Sequence, residues 1–197
     1  MFITFEGADG SGKSTQAELL REALVAEGHE VVLTREPGGT EVGERIRELV
    51  LNGPDMSAWA EATLFAAARA QHVDEVIRPA LARGAVVICD RYVDSSLAYQ
   101  GAARGLGIDE VLELNLRATG GLLPDATFVL LLDPEVAATR VTDHDRLERE
   151  GVELQAKVDA AYRELAARFP ERIVAVDGAR EPEVIAREIR DELRVRS

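Results

Sequence analysis

A glycine-rich stretch near the start of the chain constrains the fold more than any other feature. Residues 7–14 read GADGSGKS, the pattern G-x-x-x-x-G-K-S, between an apolar run around Ile3 and Phe5 and a segment with helical periodicity. Glycines let successive backbone N–H groups approach an anion without a Cβ in the way. The pattern therefore predicts a phosphate-binding loop. A glycine-rich surface turn is the alternative, and it is disfavoured because strand, loop and helix occur in the order that a phosphate loop needs.

Two side chains of this loop have predictable roles. Lys13 is placed to reach the β and γ phosphates of a nucleotide, and the hydroxyl of Ser14 is placed to reach Mg²⁺. The helix that begins here adds the positive end of its dipole.

Composition limits the classes of partner. The 197 residues carry 36 acidic and 23 basic side chains, a formal charge of −13, whereas nucleic-acid and anionic-membrane surfaces need a basic footprint. A single cysteine, Cys89, excludes an intramolecular disulfide and ends an apolar run, so we expect a buried thiol in a reducing compartment. The N-terminus lacks the pattern of a secretory signal, and no apolar stretch approaches ~20 residues. The sequence predicts a cytoplasmic protein without a membrane or nucleic-acid partner.

Short apolar runs alternate with helical patterns along the whole chain. The predicted strands lie around 3–5 and at 30–34, 85–89, 127–132 and 172–177. The predicted helices lie at 15–27, 41–51, 57–83, 95–103, 108–119, 134–140, 152–169 and 181–195. This alternation predicts an α/β protein of the P-loop NTPase type, with three layers: a five-stranded parallel sheet flanked by helices. One domain over residues 1–197 is expected.

Two arginines predict a second anion site. Arg35 follows the second predicted strand and Arg91 the third, and the carboxyl ends of parallel strands meet at one edge of the sheet. Both guanidinium groups are therefore expected to converge near the phosphate loop on a second phosphate. The alternative for each arginine is a surface ion pair.

Phe65 and Arg69 form a second candidate pair. They are four residues apart in the long predicted helix, so they share one face. A ring and a guanidinium group in that arrangement can stack on a planar base and hydrogen-bond to its edge. A core phenylalanine beside a solvated arginine remains the alternative from these residues alone.

Two further motifs resemble those of a known protein family. Residues 90–101, DRYVDSSLAYQG, closely resemble the signature of thymidylate kinases, and residues 35–40, REPGGT, are equally typical of that family. Asp9 in the phosphate loop, the Phe65/Arg69 pair and residues 145–148, DRLE, follow in the family's order. The resemblance is to the bacterial type and covers nearly the whole chain. It implies Mg²⁺-dependent transfer of a phosphoryl group from ATP to thymidine monophosphate (dTMP), giving dTDP for dTTP synthesis, by a homodimer.

The resemblance also implies roles for single residues. Arg35 and Arg91 resemble the clamp on the 5′-phosphate of the acceptor, and Arg91 and Lys13 would also be catalytic. Phe65 resembles the platform under thymine, Arg69 the donor to its O4, and Tyr99 the wall at the sugar's 2′ position. Ser96 and Gln100 would line the same pocket, Asp9 would meet the 3′-hydroxyl region, and Asp90 would join Ser14 around Mg²⁺. The implied ATP site comprises Gly7, Ala8, Asp9, Gly10, Ser11, Gly12, Lys13, Ser14 and Thr15, with Arg180 near the adenine.

One position departs from some family members, which carry an arginine inside the phosphate loop where this chain has Gly10. The catalytic arginine is therefore expected in a lid at about 140–151, as Arg146 or Arg140, whereas Arg149 fits a solvated position better. Two other functions remain as alternatives. One is a kinase for another nucleoside or deoxynucleoside monophosphate, and the other is a regulatory P-loop ATPase.

Overall fold

The structure is a computed structural model that describes residues 1–140, 146 and 151–196. Within those residues five strands form one sheet in the order β2-β3-β1-β4-β5, and every neighbouring pair is parallel. The predicted α/β fold with a five-stranded parallel sheet is thus confirmed. The strands are β1 (Phe2–Gly7), β2 (Val31–Arg35), β3 (Val86–Asp90), β4 (Ala126–Leu131) and β5 (Ile173–Asp177).

Helices connect the strands and cover both faces of the sheet. Within the described residues the α-helices are α1 (Lys13–Ala26), α2 (Glu41–Asn52), α3 (Ala58–His72), α4 (Arg78–Ala82), α5 (Val93–Ser96), α6 (Ile108–Thr119), α7 (Pro134–Ala138), α8 (Val152–Arg168) and α9 (Pro182–Arg196). None of the helices in the described part of the chain is long and apolar enough to cross a membrane.

The central strand β1 explains why the sheet needs two helical layers. All six of its residues are buried, and successive side chains enter opposite cores. Phe2 belongs to the core under α3, α6 and α8, whereas Ile3 and Phe5 belong to the core under α1 and α9. A strand buried on both faces is expected to be largely apolar, and here Phe2, Ile3 and Phe5 follow that pattern, whereas Thr4 and Glu6 are polar residues that are nevertheless buried. Cys89 in β3 is fully buried, as predicted.

The register of the sheet places the site. Arg35 pairs with Asp90 across β2 and β3, and Phe5 pairs with Asp90 across β1 and β3. Three strands therefore end together at one edge. The loop after β1, the side chain of Arg35 and the polar residues after β3 all emerge there, in agreement with the predicted common edge.

Two helices differ in detail from the sequence prediction. The long helix expected over residues 57–83 is a continuous helical run, but its middle, Val73–Ile77, is π-helical. The helix expected over 95–103 begins at Val93 and widens into a π-helical segment, Leu97–Ala103. The lid predicted at 140–151 lies outside the described residues except for Arg140, Arg146 and Gly151.

Candidate active site

The phosphate loop connects β1 to α1 and depends on its glycines. Gly7 has a φ of 138°, and a β-carbon there would clash with the carbonyl oxygen of Leu130. Gly12 has a φ of 96°, in the left-handed region, directly before α1. Glycine adopts the backbone conformation of both positions at lower cost than any other residue does. The loop can therefore keep its backbone N–H groups open to an anion.

Lys13 is buried in the loop. Its Nζ donates to the carbonyl oxygen of Ala8 at 2.9 Å and lies 3.7 Å from the carboxylate of Asp9. Burial and the nearby charge of Arg91 lower the pKa of Lys13. A phosphate dianion in the loop would act in the opposite direction, because a nearby negative charge favours the ammonium form of Lys13.

Ser14 and Asp90 are joined at the same edge. Ser14 Oγ donates to Asp90 Oδ2 at 2.6 Å, so a hydroxyl and a carboxylate oxygen face the region beside the loop. Hard oxygen ligands of this kind suit Mg²⁺, which binds one or two protein groups and takes its other ligands from phosphates and water. The donor set therefore fits the predicted ion.

Arg91 is held from two sides. Its Nη2 lies 2.5 Å from Asp9 Oδ1, and its Nη1 donates to Ser95 Oγ at 3.1 Å and to the Tyr162 hydroxyl at 3.4 Å. Burial alone would raise the pKa of Asp9, but Arg91 and Lys13 outweigh it and hold that pKa below its ordinary value. Asp9 is accordingly an anion that orients two cations. Arg91 also has a φ of 69°, which is unusual for a residue with a side chain, so the surrounding contacts must hold its backbone in this conformation.

Two cavities meet at this arginine. The first, here called the loop cleft, includes Gly10, Gly12, Lys13, Ser14, Arg35 and Arg140 in its lining. The second, here called the side cavity, is lined by Asp9, Glu36, Pro37, Arg47, Leu51, Phe65, Arg91, Ser95, Ser96, Tyr99 and Gln100. Four residues line both cavities, so two ligands bound side by side would meet across them: Asp9, Glu36, Arg47 and Arg91.

Most predicted acceptor residues are brought together in the side cavity. Phe65 supplies an aromatic wall from α3, and Ser96, Tyr99 and Gln100 come from the helical run that follows β3. Arg35 is placed differently. It lines the loop cleft, is 54% exposed and pairs with Glu44 at 3.0 Å. Arg35 and Arg91 thus converge on the loop cleft, and only Arg91 extends into the side cavity.

Arg69 lies behind the wall of the side cavity. Only 2% of it is exposed, and its Nε donates to Glu36 Oε2 at 2.7 Å. Its Nη1 donates to Ser96 Oγ at 3.0 Å and also to Asn115, and its Nη2 donates to the Tyr92 carbonyl oxygen at 2.8 Å. Arg69 therefore supports Ser96 and Glu36 directly. Its expected contact with a base remains a prediction.

The three arginines predicted elsewhere occupy different environments. Arg140 lines the loop cleft, with Nη1 3.5 Å from the carbonyl oxygen of Gly10. Arg146 is buried beside α2 and α3, where its Nε donates to the Val50 carbonyl oxygen at 2.9 Å and its Nη2 lies 2.5 Å from Glu61. Arg180 follows β5 and pairs with Glu188 at 2.5 Å. Of the two lid candidates, Arg140 is the one beside the phosphate loop in this arrangement.

Sequence reasoning missed Glu6, which is fully buried in β1. It accepts hydrogen bonds from Tyr92 N at 2.8 Å, Ser95 Oγ at 2.5 Å and the Tyr162 hydroxyl at 3.0 Å. Burial, with a smaller contribution from the charge of Asp94, raises the pKa of Glu6 to about 7. The sequence contains a sign of this residue, because a glutamate in a largely apolar predicted strand departs from the apolar pattern.

Two further residues were missed. Arg47 on α2 lines both cavities and donates from Nη1 to the Pro37 carbonyl oxygen at 3.0 Å. Glu61 on α3 is 1% exposed and is surrounded by donors from other parts of the chain. Arg47 had no such signal, because charged residues on helices are ordinarily solvated. Glu61 lies four residues before Phe65 and therefore shares its helix face, but the spacing does not identify its partners.

A phosphate loop at the end of β1 and a second cavity across Arg91 define a P-loop phosphotransferase with separate places for two ligands. The family model described as Thymidylate kinase matches residues 5–189. The chain belongs to the thymidylate kinase family.

Curated relatives and a solved structure agree with this assignment. The thymidylate kinase of Leifsonia xyli subsp. xyli is 55% identical over 195 residues, covering 96% of this chain and 92% of the relative. That of Bacillus velezensis is 46% identical over 202 residues, covering 99% and 94%. The crystal structure of thymidylate kinase from Ehrlichia chaffeensis matches with a TM-score of 0.81 and 34% identity, covering 98% of each chain.

Proposed function

We propose that this protein transfers the γ-phosphoryl group of ATP to dTMP, giving ADP and dTDP. The observation that carries the proposal is the position of Arg91, which lines both the loop cleft and the side cavity. A guanidinium group there can contact the acceptor phosphate and the phosphoryl group in transfer. Family membership supplies the identity of the acceptor.

The chemistry requires positioning more than proton abstraction. The nucleophile is an oxygen of the acceptor phosphate, which is already ionised at neutral pH, so the site needs no strong general base. Lys13, Arg91 and a third arginine would neutralise charge on the transferring group, and each such contact is worth on the order of 10²–10³ in rate. Arg140 is our candidate for the third arginine, because it lies beside Gly10 at the loop cleft. Arg146 would first have to leave Glu61.

Mg²⁺ is the proposed cofactor, held by Ser14 and Asp90. The support is the oxygen pair at the carboxyl edge of β1 and β3. The ion would neutralise phosphate charge when bound. Arg180 and the turn after β5 are proposed to lie near the adenine, since Gly178 packs close to the backbone of Ser11 in the phosphate loop.

The acceptor is proposed to bind with its base in the side cavity. Phe65 would stack on the ring, Tyr99 would crowd the 2′ position, and Ser96 and Gln100 would face the base edge. Arg35 is proposed to hold the 5′-phosphate with Arg91, and Asp9 to meet the 3′-hydroxyl region. Arg69 is proposed to hydrogen-bond to O4 of the base. Its hydrogen bond to Ser96, which lines the side cavity, already places its guanidinium group next to the cavity wall.

Three broader properties complete the proposal. We infer one nucleoside monophosphate kinase domain with a lid at about 140–151, a homodimer, and a cytoplasmic location. The dimer is supported by large apolar side chains that α2 and α3 leave exposed, namely Val42, Leu49 and Trp59. The cytoplasmic location rests on the lone, buried cysteine. Light scattering at micromolar concentration tests the dimer, and a monomer mass would overturn it.

An ADP-release assay across dTMP, dUMP, dCMP, AMP and GMP tests the proposed activity. We expect ATP turnover that requires a nucleoside monophosphate and is fastest with dTMP. Preference for AMP, GMP or dCMP would instead support a kinase for another monophosphate. ATP turnover at the same rate without any acceptor would support a regulatory ATPase and contradict the kinase.

A further inference from the structure

We propose that Glu61, a buried residue outside the side cavity, determines which pyrimidine base the cavity accepts by fixing the orientation of the Gln100 amide. Gln100 Nε2 donates to Glu61 Oε1 at 2.9 Å, and both residues are buried. Glu61 does not line the cavity, whereas Gln100 does. Glu61 is therefore a positioning residue, and this inference rests on the proposed function.

The negative charge of Glu61 permits only one of the two orientations of the Gln100 amide. Burial alone would raise the pKa of Glu61, but hydrogen bonds from Arg104, Gln100 and Arg146 outweigh it and lower that pKa. Glu61 is consequently an anion at neutral pH. An anionic carboxylate accepts hydrogen bonds only, so the amide of Gln100 must turn its NH₂ group toward Glu61. The amide oxygen, on the same carbon, is then the polar atom that Gln100 offers to the side cavity.

Ser96 presents the complementary group. It lies four residues before Gln100 in the same helical run, so the two side chains are about one turn apart and both line the side cavity. The Ser96 oxygen accepts a hydrogen bond from Arg69 Nη1 at 3.0 Å. Its own proton is thus available to a ligand. At this part of the cavity wall, Ser96 offers a donor and Gln100, one turn further along, offers an acceptor.

This pair matches the edge of thymine or uracil. Both bases carry a carbonyl oxygen at C4 next to a protonated N3, so the carbonyl can accept from Ser96 and the N3–H can donate to Gln100. Cytosine carries an amino group at C4 and an unprotonated N3. The Ser96 donor would then face another donor, and the Gln100 acceptor would face another acceptor. Rejection of a base by leaving buried polar groups unpaired is stronger than rejection by shape alone.

Glu61→Gln tests the inference. The substituted amide can donate or accept, so Gln100 becomes free to flip and to match cytosine. We expect the ratio of kcat/KM for dTMP to that for dCMP to fall about tenfold, the loss of one hydrogen-bond preference. The ratio for dTMP to dUMP should not change, because those two bases share the same edge. Glu61→Asp, which keeps the charge, should retain part of the dTMP preference over dCMP.

Arg104→Met is the matched control, because it removes another partner of Glu61 and leaves Gln100 bound. We expect that variant to keep the dTMP-to-dCMP ratio even if its rates fall. Gln100→Leu should lower the ratio as Glu61→Gln does, and the double variant should lower it no further. A Glu61→Gln variant that slows dTMP and dCMP equally would overturn the inference. Failure of the unmodified protein to phosphorylate dTMP would overturn the proposed function instead.

Discussion

Asp9 and Arg91 are joined at 2.5 Å across the boundary between the loop cleft and the side cavity. One residue belongs to the phosphate loop and the other follows β3, so the ion pair couples the two places where ligands would bind. Asp9 also lies 3.7 Å from Lys13. The carboxylate is thus positioned to keep two cations apart before any phosphate arrives.

Asp9→Asn should therefore impair catalysis more than it impairs folding. The amide keeps the shape but not the charge, so Arg91 and Lys13 lose the anion that orients them. We expect kcat to fall at least tenfold, with a smaller change in the KM for ATP, measured by steady-state kinetics. Asp133→Asn, which alters an exposed carboxylate at the start of α7, is the control and should leave kcat within about twofold. Equal losses in the two variants would contradict the orienting role.

Gly10 cannot be replaced by the arginine that some family members carry there. Its φ is 79°, and a β-carbon at this position would clash with the carbonyl oxygen of Ala137 in α7. We expect Gly10→Arg to lower both stability and kcat rather than to supply an extra catalytic cation. An increase in kcat would contradict this account.

Gly12 offers a matched comparison for that clash. It shares the left-handed backbone, with a φ of 96°, but has open space around its α-carbon. Gly12→Ala should cost about 1 kcal/mol of unfolding free energy from backbone strain alone. Gly10→Ala should cost clearly more, because α7 must also move. Urea unfolding of the ligand-free proteins measures the difference, and equal losses would exclude a role for α7.

The buried carboxyl of Glu6 predicts a pH dependence of stability. Its pKa rises from the unfolded value of 4.5 to about 7, so the folded state keeps a proton that the unfolded state releases between those values. Stability contributed by Glu6 should therefore fall as pH rises from about 4.5 to 7, by about 3 kcal/mol in total, and then stay level. The groups that face it are Tyr92 N–H, Ser95, the Tyr162 hydroxyl and the charges of Asp94, Arg91 and Arg172.

Glu6→Gln isolates this contribution, because an amide resembles the protonated acid and cannot ionise. Urea unfolding at several pH values between 4.5 and 8 should show the wild-type protein losing stability relative to the variant as pH rises to about 7. Other titrating groups cancel in the difference. A difference that is constant over this range would show that Glu6 has an ordinary pKa.

Local patterns in the sequence allowed the sheet and its common edge to be predicted, whereas the family resemblance indicated the residues that the structure gathers around the side cavity. Alternating strands and helices fix the fold, and Arg91, Ser96, Tyr99 and Gln100 fall within one short motif. The burial of Arg69 could not be predicted from local patterns. Its partners Glu36 and Asn115 are 33 and 46 residues away, so burial of the guanidinium group behind Ser96 depends on tertiary packing.

The partners of Glu61, an acidic residue, also could not be predicted from the sequence. In the sequence it lies four residues before Phe65, so helical spacing places it on the face of Phe65 and Arg69 but does not identify the distant side chains that compensate its charge. The structure surrounds it with Gln100 at 39 residues' separation, Arg104 at 43 and Arg146 at 85. Charge compensation of this kind is set by which side chains the fold brings together, and a pattern along one helix cannot report it.

Tyr99 provides a test of the proposed sugar pocket. The ring is 6% exposed, lines the side cavity and lies 5.5 Å below the guanidinium carbon of Arg91. If the acceptor binds in the side cavity as proposed, the ring lies beside its sugar, so Tyr99→Ala should admit a 2′-hydroxyl and lower the preference for deoxyribose over ribose about tenfold in kcat/KM. Tyr99→Phe keeps the ring and should keep the preference. Comparing dTMP with its ribonucleotide counterpart measures the ratio in each variant, and loss of preference in Tyr99→Phe would assign discrimination to the hydroxyl group instead of the ring.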